Sequence, residues 1–220
     1  FTEVFSADES SPSHQIGPCQ IDGTFLYVSI GDGHKPSFSQ VNDSTLGKIL
    51  KMTLDGEPAE ENPYGNQSSI PEPSNYVWAK GFRNPFGLKI VDGRIFVADN
   101  GMYVDRFVEV NSSTNYLWDG SDYGIGANAA AVLYPSKGMV QMDRMTLSEY
   151  PFPDEYRQSF FIVRSGNLPW TTEPKEPDQR FPRSPEIITI GYSLHSKTVF
   201  ERPRQFLGYR GNQNQMLVGL

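Results

Sequence analysis

The chain has 220 residues, of which 20 are glycine and 17 proline, and carries a formal net charge of −7. No run approaches the roughly 18 apolar residues of a membrane-spanning helix, and the scattered Lys and Arg argue against the clustered basic surface that nucleic acid requires. The single cysteine, Cys19, excludes an internal disulfide framework and reads as a small buried hydrophobe.

The chain opens on Phe1 rather than Met, as expected of a chain whose leader has been removed or of a piece of something longer. His14 stands in a Ser-His-Gln-Ile-Gly-Pro segment just before the first hydrophobic run, Thr24–Gly31 (TFLYVSIG). Its ordinary pKa near 6.5 suits proton abstraction, while a surface turn histidine is the plainer reading. That run follows the Asp22-Gly23 dipeptide and ends at Gly31-Asp32, so it predicts a strand leaving a tight hairpin. His34 falls at the tip of the loop that follows. Lys48–Leu54 (KILKMTL) predicts an outer strand, and Gly56–Ser74, rich in Pro, Glu, Asn and Ser, a long loop.

Gly81–Pro85 (GFRNP) places Arg83 and Asn84 at the mouth of the next strand, where Pro85 biases Asn84 towards extended backbone. An arginine there can offer its planar donor fork to a carbonyl or carboxylate; a structural ion pair is the alternative. A second hairpin dipeptide, Asp92-Gly93, leads into Arg94–Gly101 (RIFVADNG). Asp99, Gly101, Asp105, Glu109 and Asn115 then form an oxygen-rich stretch whose spacing matches no EF-hand loop. Phe107–Val110 predicts a strand, and Gly126–Tyr134 (GANAAAVLY) alone has helical composition. Ser159–Gly166, Ile187–Ile190 and Gln215–Leu220 predict further strands, separated by a Pro-rich loop over Pro169–Pro185; His195 has no evident partner.

Four of these runs share one design, a β-branched or aromatic stretch closed by glycine at positions 31, 101, 166 and 219. Repeats of this length, each with several short strands, predict an all-β fold, a β-propeller of which the chain covers about four blades, with no second domain within 1–220. Four blades do not close a propeller. The remainder is expected from the same longer chain or from a partner chain. Three Asn-x-Ser triplets, at Asn42, Asn66 and Asn111, fit a secreted, extracellular or periplasmic glycoprotein.

Taken in order, the segments resemble the glucose/sorbosone dehydrogenase family, whose soluble members are aldose dehydrogenases dependent on pyrroloquinoline quinone (PQQ). The resemblance lies in Asp22–Asp32 (DGTFLYVSIGD), Leu46–Lys51 (LGKILK) with Asp55-Gly56 and Asn62-Pro63, Trp78–Pro85 (WAKGFRNP), Ile95–Asp99 with Gly101, Glu109–Asn111, and Asn115-Tyr116 with Trp118. It covers roughly residues 14–120.

The resemblance implies a six-bladed propeller and oxidation of a sugar at C1 with hydride transfer to PQQ. His14 would be the base that takes the hydroxyl proton, and Arg83 and Asn84 would contact the quinone, with Arg83 polarising its carbonyl. Gly101 and Met102 would bind Ca2+ through their carbonyls, with Glu109 nearby. Lys197, Arg202 and Arg204 are candidates for further basic contacts to the cofactor. The sequence also departs from the family pattern: Gln15-Ile16-Gly17 follows the histidine, Ser13 precedes it, and Met102 stands after Gly101. Two alternatives stay open: a non-catalytic extracellular propeller serving as a binding or assembly module, and a lactonase-like hydrolase.

Overall fold

Apolar side chains on both faces of short strands require a neighbour on each side, and sheets stacked around an axis provide one. The computed structural model describes residues 2–7, 11–65, 72–145, 153–166 and 184–208. It forms three four-stranded antiparallel sheets in chain order. The first contains β1 (Ile16–Asp22), β2 (Phe25–Ile30), β3 (Lys48–Thr53) and β4 (Val77–Lys80). The second contains β5 (Pro85–Val91), β6 (Arg94–Asp99), β7 (Asp105–Val110) and β8 (Ala131–Leu133). The third contains β9 (Met139–Arg144), β10 (Ser159–Arg164), β11 (Glu186–Ser193) and β12 (Thr198–Gly208). The first strand of each sheet packs on the first strand of the next, β1 on β5 and β5 on β9. This is the inner wall of a propeller.

Alternation along the strands fills the space between blades. On β6, Ile95 and Val97 face the first blade and join Tyr27, Ile49, Phe82 and Tyr116. Phe96 and Ala98 face the third blade and join Phe107, Phe160, Ile190 and Tyr192. A one-residue slip would exchange these two sets, so the register is strongly specified. Both Asp-Gly dipeptides make the expected hairpins. At the second, Val91 pairs with Arg94, and both Asp92 (φ 50°) and Gly93 (φ 70°) are left-handed, as a two-residue type I′ turn demands.

Three expectations are corrected. The alanine-rich Gly126–Tyr134 stretch is not a helix; Ala131–Leu133 is the outer strand β8, paired to β7, and a helical turn, α2 (Asp122–Gly126), lies before it. Strand pairing at the sheet edge overrides local propensity here. The long loop over residues 56–74 ends in a helical turn, α1 (Pro73–Tyr76). Cys19 is exposed on the innermost strand rather than buried. The fourth glycine-closed run, Gln215–Leu220, lies outside the described residues, as do Asn66 and nearly all of the Pro169–Pro185 loop. Among the described residues no helix is long and apolar enough to cross a membrane.

Candidate functional site

The site begins where β2 ends. Gly31 carries no side chain because the chain before β1 crosses it closely: a Cβ there would stand 2.6 Å from the His14 carbonyl oxygen. Backbone bonds from Gly31 to Gln15 (3.0 Å) and from Gly33 to His14 (3.1 Å) lay that segment along the Gly-Asp turn. His14 therefore meets Asp32, with 2.6 Å between Nδ1 and Oδ1. Asp32 also accepts the backbone N–H of His34 at 3.0 Å and the indole N–H of Trp118 at 2.8 Å. Burial pushes the Asp32 carboxyl up, but the bond and charge of His14, the indole and the amide together hold it below the ordinary carboxylate value.

An ionised carboxylate only accepts, so His14 donates from Nδ1, and in the neutral ring the lone pair then falls on Nε2. That is how an oriented base is built. His14 (φ 55°), His34 (φ 60°) and Leu117 (φ 61°), which precedes Trp118, are all left-handed. Strain of this kind in non-glycine residues gathers at functional sites.

Arg83 reaches the same rim from the link between β4 and β5. Its carbonyl accepts the Asp32 N–H at 2.7 Å, its guanidinium lies over the Trp118 ring at 5.8 Å, and Nη1 donates to the Asn100 carbonyl at 3.0 Å. Among the described residues no carboxylate pairs with it. Asp99 fixes this link by accepting the backbone N–H groups of Arg83 (3.2 Å) and Asn84 (2.7 Å). Arg106 holds Asp99 in turn, with Nη2 to Oδ2 at 2.8 Å and both side chains fully buried. Gly81 (φ 86°) opens the link where a Cβ would meet Asn115 Oδ1 at 2.3 Å; only glycine fits. The structure thus brings His14 and Arg83 onto one rim, linked by Asp32 and Trp118.

The family model described as glucose/sorbosone dehydrogenase matches residues 2–146. The chain belongs to the glucose/sorbosone dehydrogenase family. It is 24% identical over 120 residues to the aldose sugar dehydrogenase YliI of Escherichia coli, covering 53% of this chain and 32% of that protein. A structure titled glucose dehydrogenase superposes with a TM-score of 0.72 at 21% identity, over 96% of this chain and 57% of its own. The PQQ-bound form of an aldose sugar dehydrogenase from Streptomyces coelicolor superposes with a TM-score of 0.60 at 22% identity, over 84% and 46%. The chain thus spans between a third and three-fifths of the length of these relatives.

Within the family frame the remaining expected residues separate. Gly101 and Met102 lie on the same side as Arg83, since Asn100 bonds both the Arg83 guanidinium and the Asn84 carbonyl. Glu109 does not join them. It sits four residues along β7 from Asp105, roughly 13 Å at strand rise, and accepts both arms of Arg94 (Nε at 2.8 Å) and the Tyr192 hydroxyl at 2.5 Å. Burial raises the Glu109 carboxyl, but those bonds bring it below its ordinary value. The carbonyl of Gly101 already accepts the Ser136 hydroxyl at 3.3 Å. Two carbonyls fall well short of the six to eight oxygens calcium takes, and the described residues hold no cluster of three His, Cys, Asp or Glu able to bind a metal. These residues do not fit a resident calcium.

Lys197 is in the hairpin before β12, and Arg202 and Arg204 are on β12 itself, the outermost strand of its blade. That strand stands roughly 14 Å from the inner one. Arg204 instead lies over Tyr156 at 4.8 Å.

Sequence reading missed Asp32 as the partner of His14, and Trp118 and Arg106 as supports. The one signal available was the Gly-Asp closure after the first run, which read as a turn.

Proposed function

We propose that the chain carries the proton-abstracting side of a quinoprotein sugar dehydrogenase, oxidising an aldose at C1 with PQQ as acceptor. The observation that carries this reading is the oriented imidazole of His14, bonded to Asp32 at 2.6 Å, beside the Trp118 indole that donates to the same carboxylate and over whose ring the Arg83 guanidinium lies at 5.8 Å. PQQ is an acidic, carbonyl-bearing ring system, and a half-buried guanidinium with no carboxylate partner among the described residues is a fitting donor for it. Arg83 and Asn84 would hold it, and when bound it supplies the two-electron acceptor for hydride. His14 takes the proton of the C1 hydroxyl on Nε2, and the imidazolium so formed is stabilised by Asp32. Arg83 adds fixed positive charge where negative charge develops.

Addition of PQQ should produce a quinone absorbance change that saturates, and the loaded protein should reduce a dye with an aldose. Arg83→Ala should weaken the PQQ titration roughly 10- to 100-fold, the scale of a lost charge-assisted hydrogen bond. A protein that neither binds PQQ nor reduces dye is the non-catalytic binding or assembly module instead.

A further inference from the structure

His34 belongs to no role so far assigned, yet its ring is stacked on that of His14, with centroids 4.1 Å apart and planes 22° from parallel. Its placement is held from three directions. Its backbone N–H donates to Asp32 Oδ1, the same oxygen that takes His14 Nδ1. The Ser13 hydroxyl meets its Nε2. Its backbone is left-handed at φ 60°, a conformation that turns the ring back over the segment before β1. The charged groups facing it are His14 and Asp32 across the stack and Arg83 from the β4–β5 link; burial first, then the charges of His14 and Arg83, push the imidazole below its ordinary pKa against the pull of Asp32.

We infer that His34 is a positioning residue for His14: its flat ring covers one face of the base and stops the imidazole from swinging off Asp32, so that Nε2 keeps a single direction. A ring hinged at Cβ and bonded at one nitrogen still rotates about that bond. A second ring stacked on one face removes that freedom at little entropic cost, because Ser13, Asp32 and the turn already fix the second ring. A neutral His34 suits the role, since two stacked imidazolium ions would repel.

The inference deepens the dehydrogenase reading, but only its turnover arm rests on that reading. The test uses the full protein without cofactor and follows the low-field Nδ1–H proton of His14 by NMR. In His34→Asn, which tolerates the left-handed backbone but lacks the ring, that proton should exchange with water about tenfold faster. Ser13→Ala, at an exposed position with no threat to folding, should shift exchange in the same direction by a smaller factor. In the loaded protein, kcat should fall on the order of tenfold with KM unchanged. His34→Phe, which restores a flat ring, should recover most of the protection. Unchanged exchange in both His34→Asn and Ser13→Ala overturns the inference whatever the activity. Faster exchange in a protein that oxidises no sugar leaves the positioning role standing and removes the dehydrogenase reading.

Discussion

Two carboxylates each pair with a basic side chain near the rim, and their surroundings assign them opposite tasks. Asp99 and Arg106 are both 0% exposed, and the guanidinium spends its other donors on the carbonyls of Gly81, Tyr116, Gly124 and Ala127. It is further enclosed by the Phe82 and Tyr116 rings at 5.5 and 5.6 Å. A cation that never loses its proton is committed on every side, so the pair can only hold structure. Asp32 and His14 use a partner whose proton can leave, with 11% of the histidine side chain open to solvent. One pair is a pier under the GFRNP link. The other, in the proposed reaction, exchanges a proton across the same rim.

The contrast breaks most visibly at the pier. Arg106→Leu leaves Asp99 buried and charged without its counter-ion, and losing one partner of such a pair costs about 3–5 kcal/mol. Urea unfolding should show this loss, and Arg83 and Asn84 should lose their fixed backbone positions with it. A cost under about 1 kcal/mol would mean that the carbonyls and aromatic rings, not the ion pair, hold the link.

At the other pair the effect should fall on chemistry. Asp32→Asn keeps the shape. With the amide oxygen on Trp118, the NH2 takes the Oδ1 position, forfeits the His34 backbone N–H and faces His14. His14 then requires a lone pair on Nδ1, which moves the ring proton to Nε2. The base is then blocked. Turnover should drop on the order of 10,000-fold, the loss seen when a catalytic imidazole is forced into the wrong tautomer. Stability should fall by only about 1 kcal/mol, the scale of a single altered hydrogen bond. Equal damage to folding and turnover would erase the distinction between the two pairs.

The blades were legible because their signals are local. β-branched or aromatic runs closed by glycine located β2, β6 and β10, two of them behind Asp-Gly dipeptides; shorter apolar runs located β3, β7 and β11, and GFRNP marked the start of β5. Strands β1, β4, β8, β9 and β12 were not read: Ile16–Asp22 and Thr198–Gly208 are mostly exposed, β4 and β8 have only four and three residues, and β9, Met139–Arg144, holds a single β-branched residue. The site was half legible. His14 and Arg83 stood out as residue types with chemistry, and the structure places them on one rim. Their connection runs through Asp32 and Trp118, which are 86 residues apart, and no spacing rule reaches that far. Glu109 misled for the same reason: its neighbours in sequence are oxygen-rich, but its partners in space are Arg94 and Tyr192.

The smallest expected effect separates the pairs by acid titration. His34 lies below its ordinary pKa of 6.5 in the fold, so as pH falls through that value the unfolded chain takes up the proton first and stability declines. Asp32 lies below its ordinary 3.8; its contribution is complete above that pH and is lost as pH falls through the depressed folded value. The urea midpoint should therefore be level above about pH 7, decline gently from the ordinary histidine range, and fall again only below the ordinary aspartate range. The first step should be worth less than about 1 kcal/mol, since His34 is an exposed residue, only partly desolvated, and solvent screening trims such couplings. His34→Asn should remove the first step and leave the second, and Asp32→Asn should weaken the second. If His34→Asn keeps the gentle decline intact, the proton uptake near pH 6.5 belongs to another group, and the stacked histidine does not sense the site's charge.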